Sequence, residues 1–350
     1  MLLRSTFAVA LLVLPLPVAA QGGLSGPSSV AAELSPGDGL TNPQPRTDFP
    51  RNILPGYFDW KAGLADGKFR FNLDYLALGQ WSDSDLGEGE AGGGILRFYG
   101  SWQATENGSL TFKVEDRHAF GAVAPQFFGF DSGALSITGT AFNDNGTMLT
   151  NLFWTQRDPE GQWTVQLGQI DVTDFVDVYG LVSPYTAFQN LAFNTNPTIN
   201  APNPGLGVAG GAKLGSHIYI VGSIADANAD PTSPTVDVFE TGETFKSFEI
   251  GYTSSSDRIY FDNVHLTAWY ADEREDALVE DGWGMAFSAT KFVNDTWMPF
   301  LRAGYSDGGG ALLKSHFGGG VGYYFGDSKD LLGVGLDWGR PPDSGLDDQY

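Results

Sequence analysis

Two acidic stretches contain the paired carboxylates that general acid–base catalysis requires. They read EDRH at residues 115–118 and DEREDALVED at residues 272–281. Two carboxylates on either side of a glycosidic bond can hydrolyse it, one as the acid and the other as the base or nucleophile. The chain has 42 Asp and Glu residues, however, so neighbouring acids arise by chance. We therefore interpret both stretches as solvated charged loops and predict that the protein is not an enzyme.

Metal and cofactor chemistry finds little support in the sequence. The four histidines, His118, His217, His265 and His316, stand singly and have no ligand spacing. The stretch DSDLGEGE, residues 83–90, is rich in oxygen ligands but lacks the third acid, the central glycine and the closing glutamate of a calcium loop. Phosphate-binding, dinucleotide-binding and nucleophile-elbow motifs are absent from the sequence. We predict no metal site and no cofactor, and an acidic external loop at 83–90, whose calcium binding stays open.

Charge and cysteine content exclude several classes of partner. The formal net charge is −23, without a basic patch, which predicts no nucleic-acid partner. The chain has no cysteine, which favours a bacterial origin over a secreted eukaryotic one and excludes a lipid anchor on cysteine. Beyond the first 20 residues no apolar run is long enough for a membrane helix, so a closed β-barrel is the one membrane-spanning option.

Composition divides the chain into three parts. Residues 1–20 have the features of a cleaved signal peptide: Arg4, the apolar stretch FAVALLVLPLP and the small residues Val18-Ala19-Ala20. Residues 21–55 are rich in Gly, Ser and Pro, which predicts a linker or periplasmic tail that buries no core. Residues 56–350 are uniform in character, which indicates a single domain.

Short segments with alternating side chains follow one another through this domain. In FRFNLDYLAL, residues 69–78, apolar side chains alternate with polar ones, as in a β-strand with one apolar face. We count about 14 such strands. Further examples are LTFKVE at 110–115, WTVQLGQI at 163–170, SFEIGY at 247–252, NVHLTAWY at 263–270, FGGGVGYYF at 317–325 and LLGVGLDWG at 331–339.

Tight turns alternate with long connections between these strands. Asn-Gly and Asp-rich turn sequences occur at 106–108, 144–146, 158–161, 294–295 and 326–328. The long irregular stretches are 82–93, 117–133, 175–205, 225–242 and 271–282. Short turns at one end and long loops at the other are typical of outer-membrane barrels.

Aromatic residues separate a barrel from a soluble β-sandwich. They make up 13% of the chain, and many lie at strand ends, as in the aromatic girdles of membrane barrels. These residues are Trp60, Trp81, Trp102, Trp163, Tyr252, Trp269, Tyr270, Trp283, Trp297, Tyr324 and Trp338. We predict an all-β fold, a transmembrane antiparallel β-barrel. The alternative is a secreted soluble β-sandwich that binds carbohydrate or acts in adhesion.

The end of the chain carries a family resemblance. In GVGLDWGRPPDSGLDDQY, residues Trp338 to Pro341 together with Leu346, Asp348 and Gln349 resemble a signature of the carbohydrate-selective porin family (OprB-like) of Gram-negative outer membranes. Asp347 departs from it, since the family usually has arginine there. The stretches 187–211 and 223–230 are also similar to the family's Asn-Pro-rich loop and Asp-Ala-Asn turn.

The resemblance implies a barrel of 16 strands in the bacterial outer membrane through which small saccharides diffuse passively. Because family members continue beyond this signature, we expect the chain to be truncated at its C-terminus, with about two strands missing. The expected partners are mono- or oligosaccharides, outer-membrane lipid and lipopolysaccharide. The sugar and the oligomeric state stay open, a homotrimer being common among porins of this kind.

If the apolar strand faces contact lipid, the polar faces line the lumen. We expect residues 175–205 to fold inward and constrict the lumen, with Tyr185, Phe188 and Phe193 as aromatics that contact sugar. The predicted pore-lining residues are Arg70, Asn72, Asp74, Arg97, Tyr99, Lys113, Glu115, Glu249, His265, Trp269 and Arg302.

Overall fold

A computed structural model describes residues 25–34, 53–255, 258–326, 330–343 and 345. The predicted signal peptide at 1–20 and most of the predicted lead-in at 21–55 lie outside these residues. The same holds for part of the turn predicted at 326–328, and for Leu346, Asp347, Asp348 and Gln349 of the family signature.

Thirteen β-strands form one antiparallel sheet within the described residues. Each strand pairs with the next strand along the chain, in the order β1 to β13 without a crossover. The strands are β1 (Phe69–Trp81), β2 (Glu90–Trp102), β3 (Gly108–Ala119), β4 (Gly146–Arg157), β5 (Trp163–Ile170), β6 (Gly205–Leu214), β7 (Ile218–Asp226), β8 (Thr244–Thr253), β9 (Asn263–Ala271), β10 (Gly282–Thr290), β11 (Trp297–Gly308), β12 (Ser315–Phe325) and β13 (Asp330–Arg340).

The helices are short and lie outside the strands. They are α1 (Val30–Glu33), α2 (Pro55–Asp66), α3 (Phe128–Asp131), α4 (Leu191–Asn194) and α5 (Val238–Thr241), with 3₁₀ turns at Pro125–Phe127 and Val172–Asp174. Across the described ranges, no helix combines the length and the apolar character that a bilayer crossing demands.

The strand predictions are confirmed segment by segment. Every quoted alternating segment lies within a strand, and the segment 163–170 coincides with β5. The count of about 14 strands compares with 13 in the described residues. The tight turn predicted at 144–146 is wrong, because Asp144 and Asn145 end the long connection between β3 and β4, and Gly146 begins β4.

Alternation gives each strand an outer and an inner face. In β9, Val264 and Leu266 are exposed, whereas His265, Thr267 and Trp269 are buried on the opposite face. Apolar side chains exposed in this pattern are what a lipid-facing surface requires, and polar ones belong inside. A single sheet in which sequential strands pair in order is the arrangement of an up-and-down barrel and is unlike the two facing sheets of a sandwich.

The strand connections differ in length at the two ends of the sheet. At one end they are short, and between β10 and β11 both Asn294 and Asp295 have positive φ, of 53° and 50°. Two left-handed residues in succession define the type I′ turn, which Asn and Asp tolerate well. At the other end the connections are long, and residues 171–204 between β5 and β6 form the longest of them in the described chain.

Helix α2 packs at the end of the sheet with the short connections. It begins at Pro55, a favourable residue for the first turn of a helix, and ends before Gly67. Its Lys61 donates a hydrogen bond of 3.0 Å to the side chain of Asn72 in β1. The ring of Trp60 lies 5.8 Å from that of Phe71. The start of the barrel is therefore fixed by both a polar and an aromatic contact.

The expectation that the lead-in buries no core is wrong for residues 25–34. Ser29, Val30 and Glu33 are buried, and the Ser29 side chain accepts a hydrogen bond from the Ala32 amide at the start of α1. Composition predicted a solvated tail because this segment has too few apolar residues to form a core of its own. It is buried by the inner wall of the sheet and by the connection between β5 and β6.

Candidate functional site in the barrel interior

Three adjacent strands bring a row of charged side chains together on the inner face. The register places Asp74 of β1 directly opposite Arg97 of β2, and Arg97 directly opposite Glu115 of β3. Opposite charges at paired positions attract each other across a sheet. Alternation predicted that all three face inward, and the pairing makes them neighbours.

Arg97 is the centre of this row and is completely buried. Its guanidinium donates to both carboxylate oxygens of Asp74, at 2.7 and 2.8 Å, and to Glu33 Oε1 of α1 at 2.7 Å. Its Cζ lies 4.2 Å from the ring centroid of Tyr185 and 5.1 Å from that of Tyr99. A planar guanidinium can satisfy two carboxylates and stack on aromatic rings at the same time, which explains why arginine suits this position.

Glu115 lies in β3 and is buried, so the interpretation of residues 115–118 as a solvated loop is wrong. It continues the network toward the long connection. It accepts from Arg117 Nε at 2.8 Å and from the Tyr185 hydroxyl at 3.3 Å. Lys113 Nζ lies 3.9 Å from Glu115 Oε1. We name this group the first polar cluster, which comprises Glu33, Asp74, Arg97, Tyr99, Lys113, Glu115, Arg117 and Tyr185.

A second polar cluster lies on β7, β8, β9 and β11. Its central residue is Asp177 of the long connection, whose carboxylate accepts from Arg302 and lies 2.9 Å from His265 Nε2. Glu249 accepts from the Asp177 amide at 2.9 Å and from the Thr267 hydroxyl at 2.7 Å. We define this cluster as Asp177, Tyr179, Tyr219, Glu249, Asn263, His265, Thr267 and Arg302.

The connection of residues 171–204 contacts both clusters and so crosses the interior. Tyr185 contacts Arg97 of β2, whereas Asp177 binds Arg302 of β11, nine strands further on in the sheet order. One connection can touch such distant strands only if the sheet curves around it. The connection thus lies inside the curved sheet. The role of residues 175–205 as the constriction stays a prediction.

Apolar packing fixes the middle of this connection. The Tyr179 hydroxyl donates to the Phe193 carbonyl at 2.6 Å, and the ring centroids of Phe188 and Phe193 lie 5.6 and 5.7 Å from that of Phe300. Phe193 is buried in this apolar cluster, and Phe188 is half-buried against it. Both rings thus pack the connection against β11, and their predicted contact with sugar stays untested.

The remaining predicted lining residues differ in accessibility. Arg70, at the beginning of β1, is exposed, and Asn72 is half-buried and donates to the Tyr99 hydroxyl at 3.0 Å. Trp269 is buried and donates from its indole nitrogen to the Thr198 carbonyl at 2.9 Å. The structure therefore places eight of the eleven predicted residues in the two clusters and Asn72 against the first, whereas Trp269 contacts the long connection elsewhere and Arg70 stands apart.

The ionisable groups of the long connection respond to burial and to their partners. Burial opposes the charge of Asp177, but the neighbouring Arg302 and His265 hold its pKa below the ordinary value. Burial raises the pKa of Asp174 to about 7, against the opposing influence of Lys113. Burial also raises the pKa of Tyr185 to about 12. Asp177 thus remains a carboxylate at neutral pH. Asp174, in contrast, gains or loses its proton near neutral pH.

Residues 25–34 add contacts that the sequence did not predict. The Gly26 amide donates to the Asp174 carbonyl at 2.5 Å, and Gln166 of β5 donates to the Ser25 hydroxyl at 3.3 Å. A Cβ on Gly26 would meet Val178 at 2.4 Å, so the close approach of the two segments requires glycine here. Ser29 before the short run Val30 to Ala32 is a helix-start signal that could have indicated this segment.

Comparison with known proteins identifies the family of this chain. A family model described as carbohydrate-selective porin, OprB family, matches residues 101–335. The chain belongs to this family. Its members are channels rather than enzymes, and the family places the chain among the porins of the Gram-negative outer membrane. No curated protein matches the chain in sequence.

One solved OprB structure shares the fold of this OprB-family chain, and other porin structures align with it less well. The structure of Pseudomonas putida OprB at high pH aligns with a TM-score of 0.61 at 12% identity, over 81% of this chain and 78% of that one. The low-pH structure of the same protein aligns with a TM-score of 0.45 at 11% identity, over 81% of each chain. A triple mutant of the Rhodopseudomonas blastica porin gives 0.43 at 13% identity, over 80% of this chain and 86% of that one.

Family membership resolves the alternative that the sequence left open. The chain is an outer-membrane porin for sugars, and the soluble β-sandwich is excluded by the family and by the single sequential sheet. The matched region ends before Trp338, so the family is established by residues other than the Trp338 to Pro341 motif. The resemblance of the sequence to this family is confirmed.

Proposed function

We propose that small saccharides diffuse passively through the interior of this porin, past a constriction formed by residues 171–204 and the first polar cluster. The observation that carries the proposal is the contact of Tyr185 with both Arg97 and Glu115, because it joins the connection to the polar wall. Saccharides carry hydroxyls and flat apolar faces, so charged hydrogen-bonding groups beside aromatic rings suit them.

Weak and numerous contacts are expected along this path rather than one tight site. A solute that binds tightly cannot leave, so conduction requires several exchangeable partners. The first polar cluster offers three carboxylates, two arginines and a lysine next to Tyr99 and Tyr185, and Asn72 beside them is half-buried. We propose the predicted lining residues as the wall of this path, with Arg70 at its entrance on the side of the short turns.

Liposome swelling tests the proposal directly. Vesicles that contain the purified protein should swell much faster in glucose than in an amino acid of equal size. Protein-free vesicles and vesicles with boiled protein serve as controls for leakage. Equal swelling rates in the two solutes would mean that the protein is a general porin without selectivity for sugars. A gel shift on boiling in SDS monitors the barrel, since closed barrels resist SDS until heated.

We also propose how the chain is exported and what the barrel contacts in the membrane. Residues 1–20 act as a cleaved export signal, and the barrel begins after residue 55. Exposed apolar side chains on the outer strand faces, such as Leu266 and Val264, support contact with outer-membrane lipid. We propose that lipopolysaccharide contacts the end of the barrel with the long connections. We also propose that the porin assembles as a homotrimer. Chemical cross-linking in native membranes tests the trimer.

A further inference from the structure

The inner face of the barrel carries a separate polar cavity of about 300 Å³ at the end with the long connections. Its floor consists of Phe245 and Ala271, which are inward-facing residues at the outer ends of β8 and β9. Its sides come from the end of the 171–204 connection, residues 200–203, and from residues 227–229 after β7. Arg274, in the connection between β9 and β10, completes the lining.

The lining of this cavity is dominated by hydrogen-bonding groups. Asn200, Asn203 and Asn228 contribute side-chain amides, and Arg274 contributes a guanidinium. An amide offers both a donor and an acceptor, and a guanidinium offers several donors in a fixed plane. Vicinal hydroxyls of a saccharide are themselves donors and acceptors, so such a rim can bind them in pairs.

The cavity has a fixed shape because its lining is held from behind. The Asn200 side chain donates to the Gly309 carbonyl, and the Asn228 side chain donates to Glu243. The Asn228 amide donates to Asp226 at 2.8 Å, and Arg274 pairs in backbone hydrogen bonds with Val279. A pre-formed rim costs little conformational entropy when a ligand binds.

Arg274 lines this cavity and has guanidinium donors that make no hydrogen bond within the described residues. Its guanidinium makes one long contact, of 3.5 Å, to the Ala227 carbonyl, and it forms no ion pair with any carboxylate in the described part of the chain. Two carboxylates, Asp226 and Glu243, bind the neighbouring Asn228, so the surroundings favour a neutral polyhydroxyl ligand over an anion.

We propose that this cavity is a binding site for a neutral mono- or disaccharide at the outer mouth of the porin. Its volume lies at the lower limit of small-molecule sites. The site would hold a sugar at the mouth before it moves past the constriction. This inference rests on the proposed passage of saccharides, but the site is distinct from the two polar clusters.

Ligand-observed magnetic resonance tests the site in the intact, detergent-purified protein. Maltose and methyl glucoside are the neutral probes, and glucuronate is the anionic probe. We expect saturation transfer to the neutral sugars, and about tenfold weaker binding in Arg274→Ala, since a hydrogen bond to a charged group is lost. Asn203→Ala, in an exposed position, should weaken binding less than Arg274→Ala.

Lys246→Gln is the matched control. It also removes one positive charge, from the residue next to Phe245 of the cavity lining. Lys246 pairs with Asp272 and does not line the cavity. Unchanged maltose binding in both Arg274→Ala and Asn203→Ala, with a normal gel shift, would overturn the site. Tighter binding of glucuronate than of maltose would overturn its assignment to neutral sugars.

The two proposals fail in different ways. If wild-type vesicles do not swell selectively in glucose, the proposed passage fails whatever the binding data. If they do swell and both the Arg274→Ala and the Asn203→Ala proteins bind maltose as the wild type does, only the site at the mouth fails. If both hold, maltose added at the outer side should interrupt the ionic current less often in Arg274→Ala than in Lys246→Gln.

Discussion

Glu33 and Arg97 are 64 residues apart in the chain, and their side chains form an ion pair of 2.7 Å inside the barrel. Arg97 belongs to β2, whereas Glu33 belongs to a segment that precedes the first strand. The pair holds that segment against the inner wall, beside the residues that we propose as the constriction. Glu33 therefore contributes a carboxylate to the interior from outside the sheet.

Glu33→Gln should shift the ion selectivity of the channel toward anions. The substitution removes one negative charge and keeps the side-chain volume, while Arg97 keeps Asp74 as its bidentate partner. The local charge of the interior becomes more positive by one, which favours anions in a narrow polar pore. The reversal potential in a potassium chloride gradient measures this shift.

The control for this experiment is Glu106→Gln. Glu106 is exposed in the short turn between β2 and β3, so the same chemical change leaves the interior untouched. If the reversal potential moves equally in both variants, or in neither, Glu33 does not contribute to the conducting path.

Asp177→Asn should destabilise the barrel by about 3–5 kcal/mol, the usual cost of breaking a buried ion pair. Arg302 and His265 are both completely enclosed, and they would lose the carboxylate that they share. Unfolding in urea, followed by tryptophan fluorescence, measures the free energy. We also expect the 171–204 connection to become sensitive to protease, because Asp177 attaches it to β11.

Asp307→Asn provides the comparison for Asp177→Asn. Asp307 pairs with Lys314 at 3.5 Å, and the two side chains are 59% and 41% exposed. Exposed pairs contribute about 0–1 kcal/mol. A similar loss of stability in both variants would mean that the buried network does not hold the connection in place.

Tyr185→Ala should raise the single-channel conductance and lower the preference for glucose over amino acids of equal size. The ring fills the space beside Arg97, and its loss removes a desolvated cation–π contact of about 2 kcal/mol. Tyr185→Phe keeps the ring and loses only the hydrogen bond to Glu115, so its conductance should stay close to the wild-type value. Equal conductance in the wild type and Tyr185→Ala would contradict the proposed constriction.

Alternation in the sequence was sufficient to predict the strands and their inner faces. It placed Asp74, Arg97 and Glu115 on the inside because period two separates the two faces of any strand. It did not predict that the three residues are directly opposite one another, because register depends on the lengths of the turns between strands. The clusters therefore became visible only in three dimensions.

The interior side of the site was harder to predict because it comes from irregular segments. Asp174 and Asp177 lie in a connection without periodicity, so the sequence offered no reason to separate them from the rest of the 42 acids. Residues 25–34 have a loop-like composition and are buried only because the barrel encloses them. Composition reports whether a segment can form its own core, and it does not report whether another part of the chain supplies one.

Asp174→Asn should stabilise the protein at high pH and leave it unchanged at low pH. Burial raises the pKa of Asp174 to about 7 in the folded state, above its ordinary value of 3.8. The folded state therefore holds this proton more tightly than the unfolded state, so stability is greatest below pH 3.8 and falls as the pH rises toward 7. Asparagine carries no charge at any pH and retains an acceptor for Asn151, which donates to Asp174 at 3.3 Å.

Urea unfolding of the wild type and Asp174→Asn at pH values from 4 to 9 measures this dependence. A pKa difference of one unit corresponds to about 1.4 kcal/mol, so the difference between 3.8 and about 7 corresponds to an advantage of about 4 kcal/mol for the variant at pH 8. Asp276→Asn controls for a general loss of negative charge, since Asp276 is exposed in the connection between β9 and β10 and lies far from Asp174 in the chain. A constant difference between Asp174→Asn and the wild type across this pH range would show that the Asp174 carboxyl does not ionise as its burial requires.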